Sequence, residues 1–178
     1  MNPIIRQATV KDVPVISSIL TEAATWLNGS GKTMWDTKEV TEEKILKDAD
    51  LFFIAYLGDQ AAGTLKFQIE DKLFWPDVPG DDSAFVHRLA VRRCFAGQGI
   101  STSMLSWAIS RASSLEKRFL RLDCAAARPR LRKIYEDFGF THHSDRQVGP
   151  YLVARYEYET KKSNHAVEPR GLQPLAHG

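Results

Sequence analysis

The chain has 178 residues, 43% of them hydrophobic and 26% charged, with a formal net charge of +2. A chain of that length closes one core without a second domain, its balance is that of an ordinary globular protein, and the charge is too small to argue for nucleic acid. Two cysteines, Cys94 and Cys124, make no disulfide framework, and no apolar run reaches the length of a membrane span.

Polar Asn2, Arg6 and Gln7 stand where a signal peptide is apolar, so a cytoplasmic location is expected. Ile4 to Ala8 reads as a first strand. Thr9 or Asp12 then caps a helix whose apolar positions Ile16, Ile19, Leu20, Ala23 and Leu27 recur at helical spacing. Asn28-Gly29-Ser30-Gly31 breaks it, and Asp36 to Asp48 reads as a second, more polar helix. Leu51 to Tyr56 is a nearly continuous apolar run, the mark of a strand covered on both faces. Gly58-Asp59 turns the chain, and Ala62 to Asp71 returns as the antiparallel partner.

Pro76, Pro79, Gly80, Asp81 and Asp82 mark a loop before a strand over Ala84 to Val91. If that strand alternates cleanly, Phe85, His87 and Leu89 share a face and Arg88 takes the other. Gln98 to Leu115 is an amphipathic helix and Phe119 to Cys124 a strand. Pro129 suits the first turn of a helix that stacks Leu131, Ile134, Tyr135 and Phe138 and stops at Gly139. Strands near Phe140 to Arg146 and Leu152 to Tyr158 follow. The expected organisation is one domain over 1–160, with 161–178 as a tail outside the core. No repeat is evident, and the element order favours one mixed sheet with helices on its faces.

The chemically informative stretch is Val86 to Ser101, where a strand enters a basic turn with Arg92 and Arg93, then Gly97-Gln98-Gly99, then a helix. Unpaired amides and a positive dipole end make such a helix start a phosphate site, and two glycines let the backbone approach a ligand. The same glycines also suit a tight strand–helix connection and nothing more.

This stretch resembles the acetyl-CoA-binding motif of the GNAT superfamily of N-acetyltransferases, in which a Leu-x-Val strand end leads into Arg/Gln-x-x-Gly-x-Gly/Ala. Leu89 and Val91 match the strand end, and Gly97 and Gly99 match the loop; Ala96 replaces the usual Arg or Gln, and Ser101 the usual Gly or Ala. Downstream, Ile134-Tyr135-Glu136-Asp137-Phe138-Gly139-Phe140 is similar to the family's Leu-Tyr-Glu-Lys-x-Gly-Phe signature, with Arg128 where Asn is usual. The resemblance implies an α/β (mixed α+β) fold, with a largely antiparallel sheet of about seven strands, splayed in the middle, and about four helices on its faces. It implies acetyl-CoA as co-substrate, main-chain contacts to pantetheine from Leu89, Ala90 and Val91, and a pyrophosphate held by Ala96, Gly97, Gln98, Gly99, Ile100, Ser101 and Thr102. Arg128 falls where the family places a further cofactor contact.

Direct acetyl transfer needs a neutral amine, a polarised thioester and a proton for the departing thiolate. Tyr135 matches the family's general-acid tyrosine, and the Leu89 amide is the natural donor to the thioester oxygen. A tyrosine on an apolar helix face is equally a core residue by spacing alone. His87 stands where many relatives carry a basic Glu; the alternatives are Glu70, water and, less suitably, Glu22. Trp26, Trp35 and Trp75 are candidate acceptor contacts, each also suited to closing the core, with Arg146 and Tyr151 as candidates to border the same mouth. Cys94, Cys124 and the His142–His143 pair fit no standard zinc spacing, so no metal is expected. The expected activity is acetylation of a primary amine of a small molecule or peptide, by a monomer or homodimer without nucleic-acid or membrane partners. The alternative is a CoA-binding regulatory module with weak or no turnover.

Overall fold

The computed structural model describes residues 1–29, 31 and 35–161. The tail expected over 161–178 lies, apart from residue 161, outside the described residues. Seven strands form one sheet: β1 (Ile4–Gln7), β2 (Phe52–Leu57), β3 (Gln60–Gln68), β4 (Ser83–Val91), β5 (Phe119–Ala125), β6 (Thr141–Val148) and β7 (Tyr151–Glu159). Four α-helices accompany them: α1 (Val13–Gly29), α2 (Glu42–Leu46), α3 (Ile100–Ser114) and α4 (Pro129–Phe138). The sheet order is β1-β2-β3-β4-β5-β7-β6, with every pair antiparallel except β4 and β5.

Helices cover both faces. On one, α1 and α2 bury Ile16, Ile19, Leu20 and Ile45 against Phe52, Ile54 and Ala90. On the other, α3 and α4 bury Ile100, Met104, Leu105 and Tyr135 against Phe53, Leu65, Val86, Leu122 and Tyr156. The run at β2 therefore is apolar on both faces because both are roofed.

The single helix expected over Asp36 to Asp48 is two short pieces, with a further turn beyond its expected end. A 3-10 turn at Thr37–Glu39 is capped by the Asp36 carboxylate, which accepts from the Lys38 amide, and α2 follows after extended Thr41. A second 3-10 turn spans Ala49–Leu51. The Asp36 side chain offers the backbone a local alternative to a continuous helix, and the extended Thr41 interrupts it after Val40. On α4, Leu131, Tyr135 and Phe138 meet the core but Ile134 is 56% exposed. The buried stripe runs i, i+4, i+7, and Ile134 sits off its edge.

The decisive irregularity is in β4. Thr64 pairs with Ala90 and Lys66 with His87, so two steps on β3 oppose three on β4. The extra residue is Arg88, at φ 54, in the left-handed region. Clean alternation fails there: Leu89 packs with Val86 and Val91 on the α3–α4 face, not with His87. The parallel pairing of β4 with β5 stops at the same place, its last partners being Val86 and Leu122. Beyond Val86 the two strands part, opening the cleft in the middle of the sheet.

Candidate active site

One wall of the cleft is backbone. β4 ends in a 3-10 turn at Arg93–Phe95, and the chain then passes Gly97 and Gly99, each at φ 76, into α3. Side chains rarely tolerate that conformation, and open space faces both Cβ positions, so the glycines serve the bend itself. The amides of Gly97, Gly99, Ile100, Ser101 and Thr102 find no acceptor among the described residues, and the first helical bond at this end is Ser103 N–H to Gly99 O at 3.0 Å. Five donors at a dipole's positive end are a ready anion cradle. The Gln98 side chain donates to Cys94 O, bracing the turn from within.

The basic pair beside the loop is partly neutralised. Glu22 on α1 accepts from the Arg92 guanidinium at 2.7 Å and from the Arg93 amide at 3.0 Å. Its role is to clamp α1 to the loop, not to line a solvated helix face. Arg93 lies over the Trp26 ring at 3.7 Å, so Trp26 sits beside the glycine loop. Cys94 in this turn is exposed, whereas burial pushes the Cys124 thiol up to about 11, with the neighbouring Asp123 charge adding to the effect.

The opposite wall is made of side chains. His87 and Asp123 are the first residues of β4 and β5 beyond their last pair, so they face each other at the apex of the cleft. His87 Nε2 contacts Asp71 Oδ2 at 2.6 Å, and His87 Nδ1 stands 3.7 Å from Asp123 Oδ2. The Phe74 ring packs on the imidazole with centroids 5.4 Å apart. Asp71 is fixed by a local turn in which its Oδ1 accepts from the Leu73 and Phe74 amides. Burial acts to raise the Asp71 carboxyl, but the His87 contact and these two amides outweigh it and hold it below its usual value. Asp123 goes the other way: burial, opposed in part by His87 and reinforced by Asp71, pushes it up to about 6.

Asp71, His87 and Asp123 offer ligand-type atoms within 4.8 Å of one another, a spacing that could also hold a cation. Two atoms on one ion at bond lengths of ~2 Å stand roughly 3 Å apart or more. The 2.6 Å contact is therefore hydrogen-bond geometry, and it commits the ring nitrogen to Asp71.

Glu70 is exposed and lies past the end of β3, which stops at Gln68; it does not reach His87. Its neighbour Asp71 occupies the place for which Glu70 is the sequence candidate, because the strand ends early and the turn redirects the next side chain. Asp71 and Asp123 escape sequence reasoning; an acid within the apolar run of β5 is the signal that could have found Asp123.

Tyr135 is 7% exposed, packed on Phe140 and Tyr156 within the α3–α4 core. Its hydroxyl makes no hydrogen bond among the described residues, and burial raises its pKa, with Cys124 and Asp123 adding and Arg128 opposing. Arg128 is the N-cap residue of α4, close enough to act on that phenol. Trp35 underlies the Arg88 guanidinium at 5.0 Å, and Arg88 meets Glu39 at 3.7 Å beside the bulge. Trp75, by contrast, is 2% exposed between Arg155 at 4.6 Å and Arg121 at 5.4 Å. Two cations clamp it into the core, which removes it from any acceptor surface. Arg155 also forks onto Asp77, holding that carboxyl well below its usual range. Arg146 acts on Asp77 and Tyr151 on Arg88, which places both near this rim.

The pattern of the acetyltransferase (GNAT) family matches residues 19–140. The chain belongs to that family and is an acetyl-CoA-dependent acyltransferase. It is 29% identical over 143 residues to an uncharacterized N-acetyltransferase, YesJ, of Bacillus subtilis (strain 168), covering 75% of this chain and 78% of that protein. The fold is similar to a GNAT acetyltransferase from Listeria monocytogenes 4b F2365 (TM-score 0.73, 23% identity, 88% of this chain and 94% of that one). It is also similar to yncA, a putative acetyltransferase from Salmonella typhimurium solved with acetyl-CoA (TM-score 0.68, 16% identity, 96% of this chain and 100% of that one). The mixed, mostly antiparallel open sheet of seven strands and four helices is the expected architecture. No helix among the described residues is long and apolar enough to cross a membrane.

Proposed function

We propose that the protein transfers the acetyl group of acetyl-CoA directly to a primary amine of a small molecule or peptide. The observation that carries this reading is the parting of β4 from β5 at Val86 and Leu122, with bare loop amides on one side and the Asp71–His87–Asp123 cluster on the other. In this reading Leu89, Ala90 and Val91 give main-chain contacts to pantetheine, and Ala96 to Thr102 wrap the pyrophosphate. The Leu89 amide polarises the thioester carbonyl. The amine, freed of its extra proton at the cluster, attacks the carbonyl carbon; the C–S bond then breaks, and the Tyr135 hydroxyl donates to the sulfur. Burial keeps the proton on that phenol until charge appears beside it, and Arg128 favours the charged state that follows. Trp35, with Arg88, borders the acceptor side; Trp26 belongs to the cofactor side.

An amine-library screen reading CoA release, repeated with Tyr135→Phe, tests the reading. The substitution should cut turnover by about 10²–10⁴-fold while leaving acetyl-CoA affinity and thermal stability near wild type, because the hydroxyl has no protein partner to lose. Equal turnover by the variant rejects the acid assignment. Tight acetyl-CoA binding without turnover on any amine instead indicates a CoA-binding regulatory module.

A further inference from the structure

We propose that Asp123 is the general base that takes the acceptor's proton, with His87 and Asp71 standing behind it as positioning residues. The inference rests on the acetyl-transfer reading and identifies the group within the cluster that meets the substrate.

Both ring nitrogens of His87 already face carboxylates, Nε2 toward Asp71 at 2.6 Å and Nδ1 toward Asp123 at 3.7 Å. Neither ring nitrogen is left without a carboxylate in front of it. The Asp123 carboxyl is placed differently. Its Oδ2 is buried without a hydrogen-bond partner and lies on the His87 side. The side chain keeps 10% exposure, which therefore belongs to its other edge, and Oδ1 makes no hydrogen bond among the described residues. One oxygen thus faces the imidazole and the other remains for a ligand. The backbone supports the placement, since Asp123 is the first β5 residue after pairing with β4 ends and lies at the cleft apex.

The charged groups around Asp123 come from each neighbouring element: His87 and Arg88 from β4, Asp71 from the β3–β4 connection and Arg155 from β7. Cys124 beside it and Tyr135 of α4 both feel its charge. Burial and Asp71 together place the carboxyl at about 6, where it accepts a proton near neutrality and still releases it.

The proton balance is simple. An ammonium N–H bond breaks, its proton passes to Asp123 Oδ1 and leaves for solvent, and the freed lone pair forms the bond to the carbonyl carbon. The adduct nitrogen gives up a second proton to the restored carboxylate. The C–S electron pair stays on sulfur, which is protonated by Tyr135, and the phenol recovers that second proton. Each turnover yields one amide, one CoA thiol and one proton in solution.

The test compares wild type, Asp123→Asn and His87→Gln across pH 5 to 9 with two acceptors. One is the best alkyl amine from the screen, an ammonium at neutral pH; the other is hydroxylamine, largely neutral there. Asp123→Asn should lose about 10²–10⁴-fold in kcat/KM with the alkyl amine, lose its acidic limb, and lose far less with hydroxylamine. His87→Gln should retain the limb but move it to higher pH, because the side chain that favours the Asp123 anion is gone. Unchanged circular dichroism and acetyl-CoA affinity show that both variants are folded. An Asp123→Asn enzyme that keeps the wild-type acidic limb, or falls equally with both acceptors, overturns the inference and leaves acetyl transfer standing. A wild type that binds acetyl-CoA and acetylates neither acceptor overturns the inference together with the reading beneath it.

Discussion

The two walls of the cleft are built on different principles. The α3 wall works through backbone: two glycines in the left-handed region bare five amides, and in the proposed reading these, not loop side chains, hold the diphosphate. The opposite wall, proposed to receive the acceptor, works through side chains from three separate elements, with His87 and Asp71 16 residues apart and Asp123 on another strand. A backbone device is local and makes little demand on side chains such as Ala96 and Ser101. A side-chain device depends on long-range register, and here the register is set by a single bulge.

The sharpest way to break that contrast is at the bend. Gly99→Val places a β-branched residue at φ 76, at a strain of about 1–3 kcal/mol. Calorimetry should show acetyl-CoA binding weakened by about tenfold or more, with the amine KM little changed. Unaltered affinity would mean that the loop does not cradle the cofactor.

The acceptor wall should respond to pH instead. The folded Asp123 carboxyl, at about 6, lies above its unfolded value near ~3.9. The folded state therefore binds the proton more tightly, and stability is lost as pH rises through that window. Asp123→Asn should be more stable than wild type at pH 8, by about 1–3 kcal/mol, and equal to it near pH 4. Urea denaturation at the two pH values checks this; a constant difference would show that the buried carboxylate is not strained by its surroundings.

Smaller effects separate the supports of each wall. Glu22→Gln frees Arg92 from an ion pair that is partly exposed, so the loss of stability should be no more than about 1 kcal/mol. Acetyl-CoA affinity should move more than amine KM. Trp26→Ala removes a cation–π contact with Arg93 worth about 0.5–1 kcal/mol and should leave amine KM untouched. A changed amine KM would bring Trp26 to the acceptor side.

Most strands and the helices α1, α3 and α4 were legible because each carries its own periodicity. The cofactor bend was legible because glycine spacing, strand end and helix start are contiguous. The helix expected over Asp36 to Asp48 was not, since the Asp36 carboxylate satisfies a backbone amide locally and the extended backbone at Thr41 divides it. The acceptor wall was half visible. His87 stands out as a histidine on a strand, but the bulge at Arg88 alters which neighbours share its face. Asp71 depends on β3 ending at Gln68, two residues before Glu70, a boundary that hydrophobic pattern does not mark. Trp75 reads as a candidate aromatic contact until Arg121 and Arg155 are seen to close over it.

The contrast between the two thiols has a practical consequence. Cys124 is buried and its thiol is pushed up to about 11, whereas Cys94 is exposed in the turn just before Gly97. A maleimide at neutral pH should therefore modify one site, at the doorstep of the proposed diphosphate cradle. A fluorophore attached there becomes a reporter of cofactor arrival without any engineered residue.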